Sequence, residues 1–483
     1  MPGAFCAASM RLNSAICVIG GGPAGAAIGR RLAQLSYPVV IVEKHRFPRP
    51  HIGESVGPGL LPLLDVLGIR ERVEDQRFLR PRQVLLHWPP YYGYKTLGPI
   101  AGLQVERARF DAVMLAAARE AGAIVMEGSH LLNCAHCSDG WDLLISGPDG
   151  LVEMQASFLV DATGRRSFTG GKKQRYGAPT LAVYNYWQGE ARVGDETRVE
   201  AGFRQWYWGA PLPDGTVNAT VFIDGRRLQA DLVRLGSVHD VYREALSRST
   251  LLSWCLDRQP SGPTMVCDAT CYFDENPVGR DLIRVGESLF SVDPLSSQGV
   301  QSAIGTALQA AVVVNTILRR SGDQEIAREF YRARQQEAVT FHATTAAHLY
   351  SKVASLEQND FWETRAKPYE VTNVKIEGLA GGNAIRSALP PTGARMQLAS
   401  NARILSVPCL ERNFVVKREA VVHPGLRPTV FVNEVEIAPL LESFRAPITV
   451  KEVRSFWSGR INAPKMDRLL RWAWTRGLIV EAR

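Results

Sequence analysis

The sequence predicts an α/β protein with a Rossmann-like nucleotide-binding domain, an inserted antiparallel β-sheet domain and a small C-terminal domain. An apolar strand, a glycine turn and a helix stand near the N-terminus, in the order of a βαβ nucleotide-binding unit. Strands rich in aromatic residues follow in the middle of the chain, separated by turns. Positive charge then collects towards the C-terminus. A chain of 483 residues has room for these parts at about 150 residues each.

The glycine turn reads Gly-Gly-Gly-Pro-Ala-Gly and joins the first apolar strand to a helix of small residues. In such a turn Gly20 permits the tight bend, Gly22 lets the backbone approach a pyrophosphate, and Gly25 lets the helix lie close to the strand. Pro23 and Ala24 stand at the start of the helix, whose free N–H groups suit a pyrophosphate. The turn therefore predicts a dinucleotide site.

A carboxylate for the ribose is expected about twenty residues after such a turn. Here the apolar strand of Val39–Val42 ends at Glu43, and Lys44 follows it directly. The next loop carries Glu54 and Ser55 within the sequence Gly-Glu-Ser, and we expect this loop to pass close to the cofactor.

Three later segments carry further motifs. Residues 105–115 read Val-Glu-Arg-Ala-Arg-Phe-Asp-Ala-Val-Met-Leu, residues 161–167 read Asp-Ala-Thr-Gly-Arg-Arg-Ser, and residues 286–299 contain Gly-Glu followed by Asp-Pro and Gly. Together with the glycine turn, these motifs resemble those of FAD-dependent monooxygenases of the hydroxybenzoate hydroxylase and tryptophan halogenase superfamily. The resemblance covers roughly residues 14–350 and leaves the C-terminal part outside.

The resemblance implies that the bound dinucleotide is FAD. In place of the aspartate of the family pattern this chain has Glu287, whose longer side chain must fold back or bind the ribityl hydroxyl through water. The helix that begins near Gly299 is expected to point its N–H groups at the flavin ring. Besides the residues already named, the resemblance implies these cofactor contacts: Arg107, Asp161, Gly164, Gly286, Glu287, Pro294, Gln298, Gly299 and Val300.

The domain boundaries follow from the same motifs. The FAD-binding domain is predicted from residues 1–80, 104–175 and 276–370, the substrate sheet from 81–103 and 176–275, and the small basic domain from 371–483. The sequence Trp-Tyr-Trp-Gly-Ala-Pro resembles the W-x-W-x-I-P motif of the halogenases. The aromatic residues predicted for the substrate pocket are Tyr184, Tyr186, Trp206 and Trp208. Aromatic residues that alternate along a strand fit core packing as well as substrate contact.

In this superfamily, reduced flavin reacts with O₂ to give a C4a-hydroperoxide. The halogenases steer hypohalous acid with a lysine on an early strand of the substrate half, but residues 79–88 contain arginines and a histidine and no lysine. We therefore expect hydroxylation of an aromatic ring, with NAD(P)H as a transient reductant that has no Rossmann domain of its own. Candidates for the general base are His51, Glu54 and His87, although a structural role fits each of them as well.

The C-terminal part carries the whole net charge of the chain. Residues 375–483 contain 17 basic and 9 acidic side chains, which accounts for all of the formal charge of +8. Such a domain suits an acidic partner surface, and a merely solvated surface is the alternative. A helix between Asn462 and Gly477, followed by a strand, predicts a winged-helix-like fold. We expect no nucleic-acid partner, because the sequence contains no recognised motif for reading nucleic acid.

A basic docking domain beside a flavin domain is similar to enzymes that hydroxylate a peptidyl tryptophan in tryptophylquinone biogenesis. This similarity implies a protein or peptide substrate, docked with the help of the basic domain. We expect a cytoplasmic enzyme with no metal site and no membrane-spanning segment. The alternatives are a flavin-dependent halogenase, an alkene-saturating flavin reductase, and a non-catalytic flavin-bearing assembly factor.

Overall fold

The computed structural model of the protein describes residues 10–98, 101–188, 194–367, 390, 393–424 and 426–482. The chain divides into two units, one formed by residues 1–315 and 334–371 and the other by residues 316–333 and 372–483. Part of the segment predicted to complete the FAD-binding domain, residues 316–333, thus belongs to the second unit.

The first unit contains nineteen of the strands that the structure describes. They are β1 (Met10–Ile19), β2 (Val39–Glu43), β3 (Ser55–Val56), β4 (Gln83–Trp88), β5 (Tyr91–Thr96), β6 (Leu103–Gln104), β7 (Ile124–Glu127), β8 (His130–Cys137), β9 (Gly140–Gly147), β10 (Gly150–Asp161), β11 (Lys173–Arg175), β12 (Thr180–Gln188), β13 (Thr197–Ala201), β14 (Trp206–Pro211), β15 (Thr216–Asp224), β16 (Met265–Asp268), β17 (Tyr272–Asp274), β18 (Leu282–Arg284) and β19 (Phe290–Ser291).

The helices up to residue 365 lie between these strands or follow them. They are α1 (Pro23–Gln34), α2 (Leu60–Leu67), α3 (Arg70–Glu74), α4 (Arg107–Glu120), α5 (Leu228–Leu235), α6 (Val238–Leu246), α7 (Gly299–Arg319), α8 (Gln324–Ala354) and α9 (Asp360–Arg365). The division between the two units falls within α7 and α8.

The nucleotide sheet has the strand order β7-β2-β1-β10-β9-β8, with β18 also paired to β10. Strands β7, β2, β1, β10 and β18 run parallel, whereas β9 and β8 continue the sheet in antiparallel pairs. All five residues of β2 are buried, as expected for a parallel strand covered on both faces. The glycine turn after β1, Glu43 of β2 and Asp161 of β10 therefore meet at one edge of the sheet, where ligands bind in such folds.

The second large sheet has the strand order β16-β12-β15-β14-β13-β4-β5. Its pairs are antiparallel, as predicted, except that β13 and β4 run parallel. One face packs against α5 and α6 around Tyr207 and Tyr242. The opposite face carries Trp206 and Phe222 and packs against Tyr350 and Trp362. Since side chains alternate along a strand, each strand of this sheet sends neighbouring residues to different environments.

The second unit contains strands and helices from the C-terminal part of the chain. They are β20 (Arg395–Leu398), β21 (Arg403–Glu411), β22 (Phe414–His423), β23 (Leu426–Thr429), β24 (Phe431–Val432), β25 (Val435–Glu436), β26 (Ile448–Thr449) and β27 (Ile479–Glu481), with α10 (Ala438–Leu441), α11 (Val450–Trp457) and α12 (Ala463–Thr475). From α10 onwards the order is helix, strand, helix, helix, strand, and β20 lies between β26 and β27 as the middle strand. This order is winged-helix-like.

One prediction for this unit concerned the start of its last helix, and it is confirmed. Asn462 caps α12 as predicted, because its side chain accepts a hydrogen bond from the N–H of Lys465 at 3.1 Å. At residues 431–436 the positive φ angles of Asn433 and Glu434 turn the chain into the hairpin of β24 and β25. The predicted boundary between residues 370 and 371 lies outside the described residues, and the first described strand after it is β20.

One described helix, α7, is long and apolar enough to cross a membrane by length and composition. The sequence predicted no such segment. Of the apolar window of α7, 67% is buried inside the fold, which is the behaviour of a core helix.

Candidate functional site

A cavity of about 960 Å³ lies in the first unit, between the edge of the nucleotide sheet and one face of the second sheet. It contains most of the residues that the sequence predicts to bind the cofactor. Those that line it are Gly20, Gly22, Pro23, Ala24, Glu43, Lys44, Ser55, Arg107, Gly164, Glu287, Pro294, Gln298, Gly299 and Val300. His51, Glu54 and Trp208 line it as well, whereas Gly25, Asp161, Gly286, Tyr184, Tyr186, Trp206 and His87 lie outside the lining.

The glycine turn has the geometry that the sequence predicts. Gly20 has a φ of +102°, and a Cβ there would stand 2.4 Å from the carbonyl oxygen of Ala162. At Gly25 a Cβ would stand 1.8 Å from the carbonyl oxygen of Gly20, so the helix lies directly against the turn. Gly22 caps α1, and the first turn of that helix contains no acidic residue. The helix N-terminus at the cavity is therefore suited to an anion.

The carboxylate of Glu43 is held at the cavity by two backbone groups. Its Oε2 accepts the N–H of Gly21 at 2.6 Å, and its Oε1 accepts the N–H of His45 at 2.8 Å. Only 4% of Glu43 is exposed. Each oxygen retains a second lone pair, which fits the predicted bond from a ribose hydroxyl.

Arg49 is a cavity residue that the sequence reasoning missed. A Cβ on Gly22 would stand 3.4 Å from its Nη2, so its guanidinium lies beside the N-terminus of α1. Nη2 is 3.7 Å from Asp111, while the buried Nε has no hydrogen-bond partner among the described residues. A guanidinium with an unused N–H at this place suits a pyrophosphate.

Arg107 is buried and holds the loop that contains Ile52 and Gly53. Its Nε and Nη2 donate to the two oxygens of Asp111 at 2.9 and 3.0 Å, and its Nη1 donates to the carbonyl of Ile52 at 2.6 Å. Burial disfavours the charge, but the Asp111 carboxylate outweighs it and raises the pKa of Arg107. Arg107 therefore stays charged and fixes the loop at 52–53 against α4.

Asp161 supports the site from behind the cavity wall, although the resemblance implied a direct cofactor contact. Its carboxylate accepts hydrogen bonds from the backbone and hydroxyl of Thr163, from the hydroxyl of Ser167, and from the backbone and hydroxyl of Thr169. Gly286 likewise contributes packing, because its φ is +62° and a Cβ there would stand 2.9 Å from that of Ala24.

Glu287 lines the cavity with 45% of its side chain exposed. Its Oε1 accepts a bond from the hydroxyl of Ser291 at 3.2 Å and lies 4.0 Å from Arg165. Arg165 also lines the cavity and donates to the carbonyl of Thr270 at 2.8 Å. The longer carboxylate is thus folded onto Ser291 and Arg165, a partner that the sequence reasoning did not single out.

The aromatic residues predicted for the substrate pocket separate into lining and packing residues. Trp208 is half-buried and lines the cavity together with Thr220 and Phe222. Trp206 is 1% exposed and stacks on Phe222 with ring centroids 3.7 Å apart, so it packs behind that ring. The rings of Tyr184 and Tyr186 meet edge to face, and neither residue belongs to the lining.

His87 is removed from the candidate bases by its place on the sheet. Alternation along β4 turns Trp88 to the face that carries the cavity and His87 to the other face. The Nδ1 of His87 lies 2.9 Å from the hydroxyl of Thr250, which is bonded to the buried Glu200. A role in holding this turn replaces the predicted catalytic one.

Two candidate bases remain at the cavity. The Nδ1 of His51 lies 2.7 Å from the carbonyl of Ile52, so in the neutral ring Nδ1 carries the proton and Nε2 is the acceptor. Desolvation and the nearby charge of Arg107 lower the pKa of His51. Glu54 is 2% exposed and accepts three hydrogen bonds, including one from Tyr186 at 2.5 Å. No group of three or more metal-ligating side chains occurs among the described residues.

Comparison with known proteins finds an FAD binding domain over residues 13–174. A tryptophan 2-halogenase from Chondromyces crocatus is 30% identical over 381 residues, which is 75% of this chain and 72% of the relative. The flavin-dependent halogenase CmlS has a similar fold, with a TM-score of 0.76, 20% identity and 98% of both chains covered. The peptidyl tryptophan dihydroxylase QhpG, essential for tryptophylquinone cofactor biogenesis, has a TM-score of 0.74 and 26% identity, with 96% of this chain and 100% of QhpG covered.

Proposed function

The chain belongs to the superfamily of FAD-dependent oxidoreductases and halogenases, and on that premise we propose that it hydroxylates an aromatic ring, the tryptophan side chain of a protein or peptide. The observation that carries this proposal is that, among the described residues, the second sheet contributes no lysine to a cavity that otherwise fits reduced flavin and an aromatic ring. NAD(P)H is the proposed reductant and O₂ the proposed oxidant.

The cofactor half of the cavity fits FAD. The open N-terminus of α1 and the unpartnered Nε of Arg49 suit the pyrophosphate, and Glu43 suits a ribose. The start of α7 at Gly299 lines the same cavity and suits the pyrimidine side of the ring. When bound and reduced, FAD would supply the electrons that activate O₂. The chain's own residues exclude water, orient the ring and accept its proton.

To the described cavity lining the strands of the second sheet contribute Ala182, Trp208, Thr220, Phe222, Cys267 and Asp268, and none of these is a lysine. Lys95 is the one lysine on the described strands of the second sheet, and it stands on the edge strand β5 outside the cavity lining. Its Nζ lies 5.8 Å from the ring centre of Tyr91. Lys44 lines the cavity at the opposite end, next to Glu43. A site without an amine near the ring favours oxygen transfer over the steering of hypohalous acid.

The likeness to QhpG supports a peptidyl substrate, because over nearly the same length of this chain the identity is 26% with QhpG and 20% with CmlS. The basic C-terminal part supports a polypeptide substrate rather than a small molecule. A domain that carries the whole net charge of the chain is of no use to a small phenol, whereas it attracts an acidic polypeptide. We therefore propose tryptophylquinone biogenesis as the context of the reaction.

Halogenation is the second candidate, and the tryptophan 2-halogenase at 30% identity favours it. Both reactions start from reduced FAD and O₂, and both replace a ring hydrogen. They differ in the atom that enters the ring.

The test is mass spectrometry of a synthetic acidic peptide with a single tryptophan, incubated with the FAD-loaded protein, NAD(P)H, ¹⁸O₂ and bromide. The proposal predicts one or two ¹⁸O atoms on the indole ring and no bromine. Bromine on the ring would establish the halogenase instead. Loss of two hydrogens from the peptide without added oxygen would overturn hydroxylation. Saturation of a double bond in an added alkene without O₂ would establish a reductase. An unchanged peptide, with partner maturation that survives loss of FAD, would establish an assembly factor.

A further inference from the structure

Hydrogen bonds to Glu54 join the loop at residues 52–54 to the second large sheet, which contains β12 and β15. The carboxylate lines the cavity although only 2% of the residue is exposed. Its Oε1 accepts the hydroxyl of Tyr186 at 2.5 Å and the amide N–H of Asn218 at 3.3 Å, and its Oε2 accepts the N–H of Gly53 at 2.9 Å. Tyr186 and Asn218 stand directly opposite each other on β12 and β15. Two neighbouring strands therefore hold one carboxylate.

The side chains that donate hydrogen bonds to Glu54 have fixed orientations. The hydroxyl of Thr220 donates to Oδ1 of Asn218 at 2.8 Å, which turns the amide nitrogen of Asn218 towards Glu54. Asn218 and Thr220 are 0% and 1% exposed. Burial and the adjacent Glu54 carboxylate raise the pKa of Tyr186, so its hydroxyl keeps its proton and remains a donor. Glu54 thus accepts hydrogen bonds from three donors, two of which stand on neighbouring strands of the substrate sheet.

The charged and titratable groups around Glu54 come from two elements besides its own loop. Arg107 approaches from α4, and Tyr184 and Tyr186 approach from β12. Arg107 is itself balanced by Asp111, to which it donates two hydrogen bonds. The cation next to Glu54 is therefore shared with a second carboxylate, which leaves the hydrogen-bond donors as the groups that orient Glu54.

We propose that Tyr186, together with Asn218, is a positioning residue that holds Glu54 as the acceptor of the proton lost from the aromatic ring. This inference rests on the proposed function. When an electrophilic oxygen supplied by reduced FAD and O₂ forms a bond to a ring carbon, the ring becomes cationic. The C–H bond at that carbon then breaks, its electron pair restores the aromatic ring, and the proton passes to Glu54. A cationic ring is a strong acid, so a carboxylate is a sufficient acceptor for its proton.

The test compares Tyr186→Phe with Tyr207→Phe in the FAD-loaded protein, using the acidic single-tryptophan peptide. Tyr207 is a matched control because it is a buried tyrosine on the opposite sheet face, whose hydroxyl donates to the carbonyl of Ala245 at 3.0 Å. We expect Tyr186→Phe to move the acidic limb of the kcat/KM profile to higher pH by about one unit. Activity then falls about tenfold on the acidic side and recovers as the pH rises. Tyr207→Phe leaves the limb in place.

A second measurement tests the bond without using activity. Tyr186→Phe is expected to lower the urea midpoint in the native sequence, and to lower it less in a Glu54→Gln background, because an amide oxygen accepts a weaker bond than a carboxylate. Equal decreases in both backgrounds would overturn the inference. A pH profile of Tyr186→Phe that matches the native profile would also overturn it, while leaving the proposed function intact. If the native protein leaves every aromatic probe unchanged, the proposed function fails, and the role of Tyr186 falls with it.

Discussion

The backbone N–H of Gly21 donates a hydrogen bond to Oε2 of Glu43 at 2.6 Å. This bond ties the glycine turn after β1 to the end of β2, so the groups suited to a pyrophosphate and to a ribose are held as one rigid unit. The same turn is closed from the other side by Gly25, which lies directly under the carbonyl of Gly20.

Gly25→Ala is expected to lower FAD affinity at least about tenfold, equivalent to about 1.4 kcal/mol. The new Cβ would stand 1.8 Å from the carbonyl oxygen of Gly20, and that backbone must shift to admit it. The control is Gly305→Ala in α7, where a Cβ meets nothing within 4 Å. A fluorescence titration with FAD measures both variants. Equal affinities would show that the turn does not shape the cofactor site.

Arg49→Ala is expected to weaken FAD binding by about 1.5–3 kcal/mol, the range for a hydrogen bond to a charged group. The reason is its unpartnered Nε beside the N-terminus of α1. Arg46→Ala serves as control, since Arg46 belongs to the same loop but lies outside the cavity lining. Isothermal titration with FAD measures the Kd of both variants. An unchanged Kd for Arg49→Ala would show that Arg49 pairs with Asp111 and does not bind FAD.

Trp206 and Trp208 are expected to respond differently to truncation. Trp206→Ala removes a fully buried ring that stacks on Phe222 and should cost about 3–5 kcal/mol of unfolding free energy. Trp208→Ala removes a half-buried ring from the cavity wall, and we expect a smaller loss of stability with a larger loss of turnover. Urea unfolding and peptide turnover are measured on both variants. A reversed order would place the substrate against Trp206.

Docking by the basic domain predicts a salt-sensitive reaction with acidic peptides. Arg468→Glu combined with Arg471→Glu reverses two exposed charges on α12, and kcat/KM for the acidic peptide should fall about tenfold at low salt through slower association. Arg243→Glu combined with Arg280→Glu reverses two exposed charges in the first unit and is the control for net charge. Turnover of N-acetyl-tryptophan amide should be the same in all three proteins. A decrease with this neutral probe as well would point to damage at the cavity rather than to docking.

Short-range signals in the sequence predicted the cofactor half of the cavity. The roles of Gly20 and Gly25 depend on a turn of six residues, and Glu43 follows from the length of one βαβ unit. Asn462 was found for the same reason, because a helix cap is a local feature. Such residues are visible in a single sequence since their partners are close along the chain.

The substrate half depends on contacts that no local pattern records. Glu54 meets Tyr186 and Asn218, which lie 132 and 164 residues further along the chain. The sheet register and the helices that pack on the sheet decide which aromatic residues of a strand line the cavity. Trp208 lines it for this reason, whereas Trp206 is buried. Arg49 stands in a proline-rich loop without periodicity, so only its place in the fold reveals its role.

The most direct measurement of the central claim is the visible absorbance of the purified protein during titration with FAD. The account predicts saturation at one FAD per chain, with a perturbed flavin spectrum and partial loss of binding in Gly25→Ala but not in Gly305→Ala. A protein that stays colourless after FAD is added and the free cofactor is removed would contradict it.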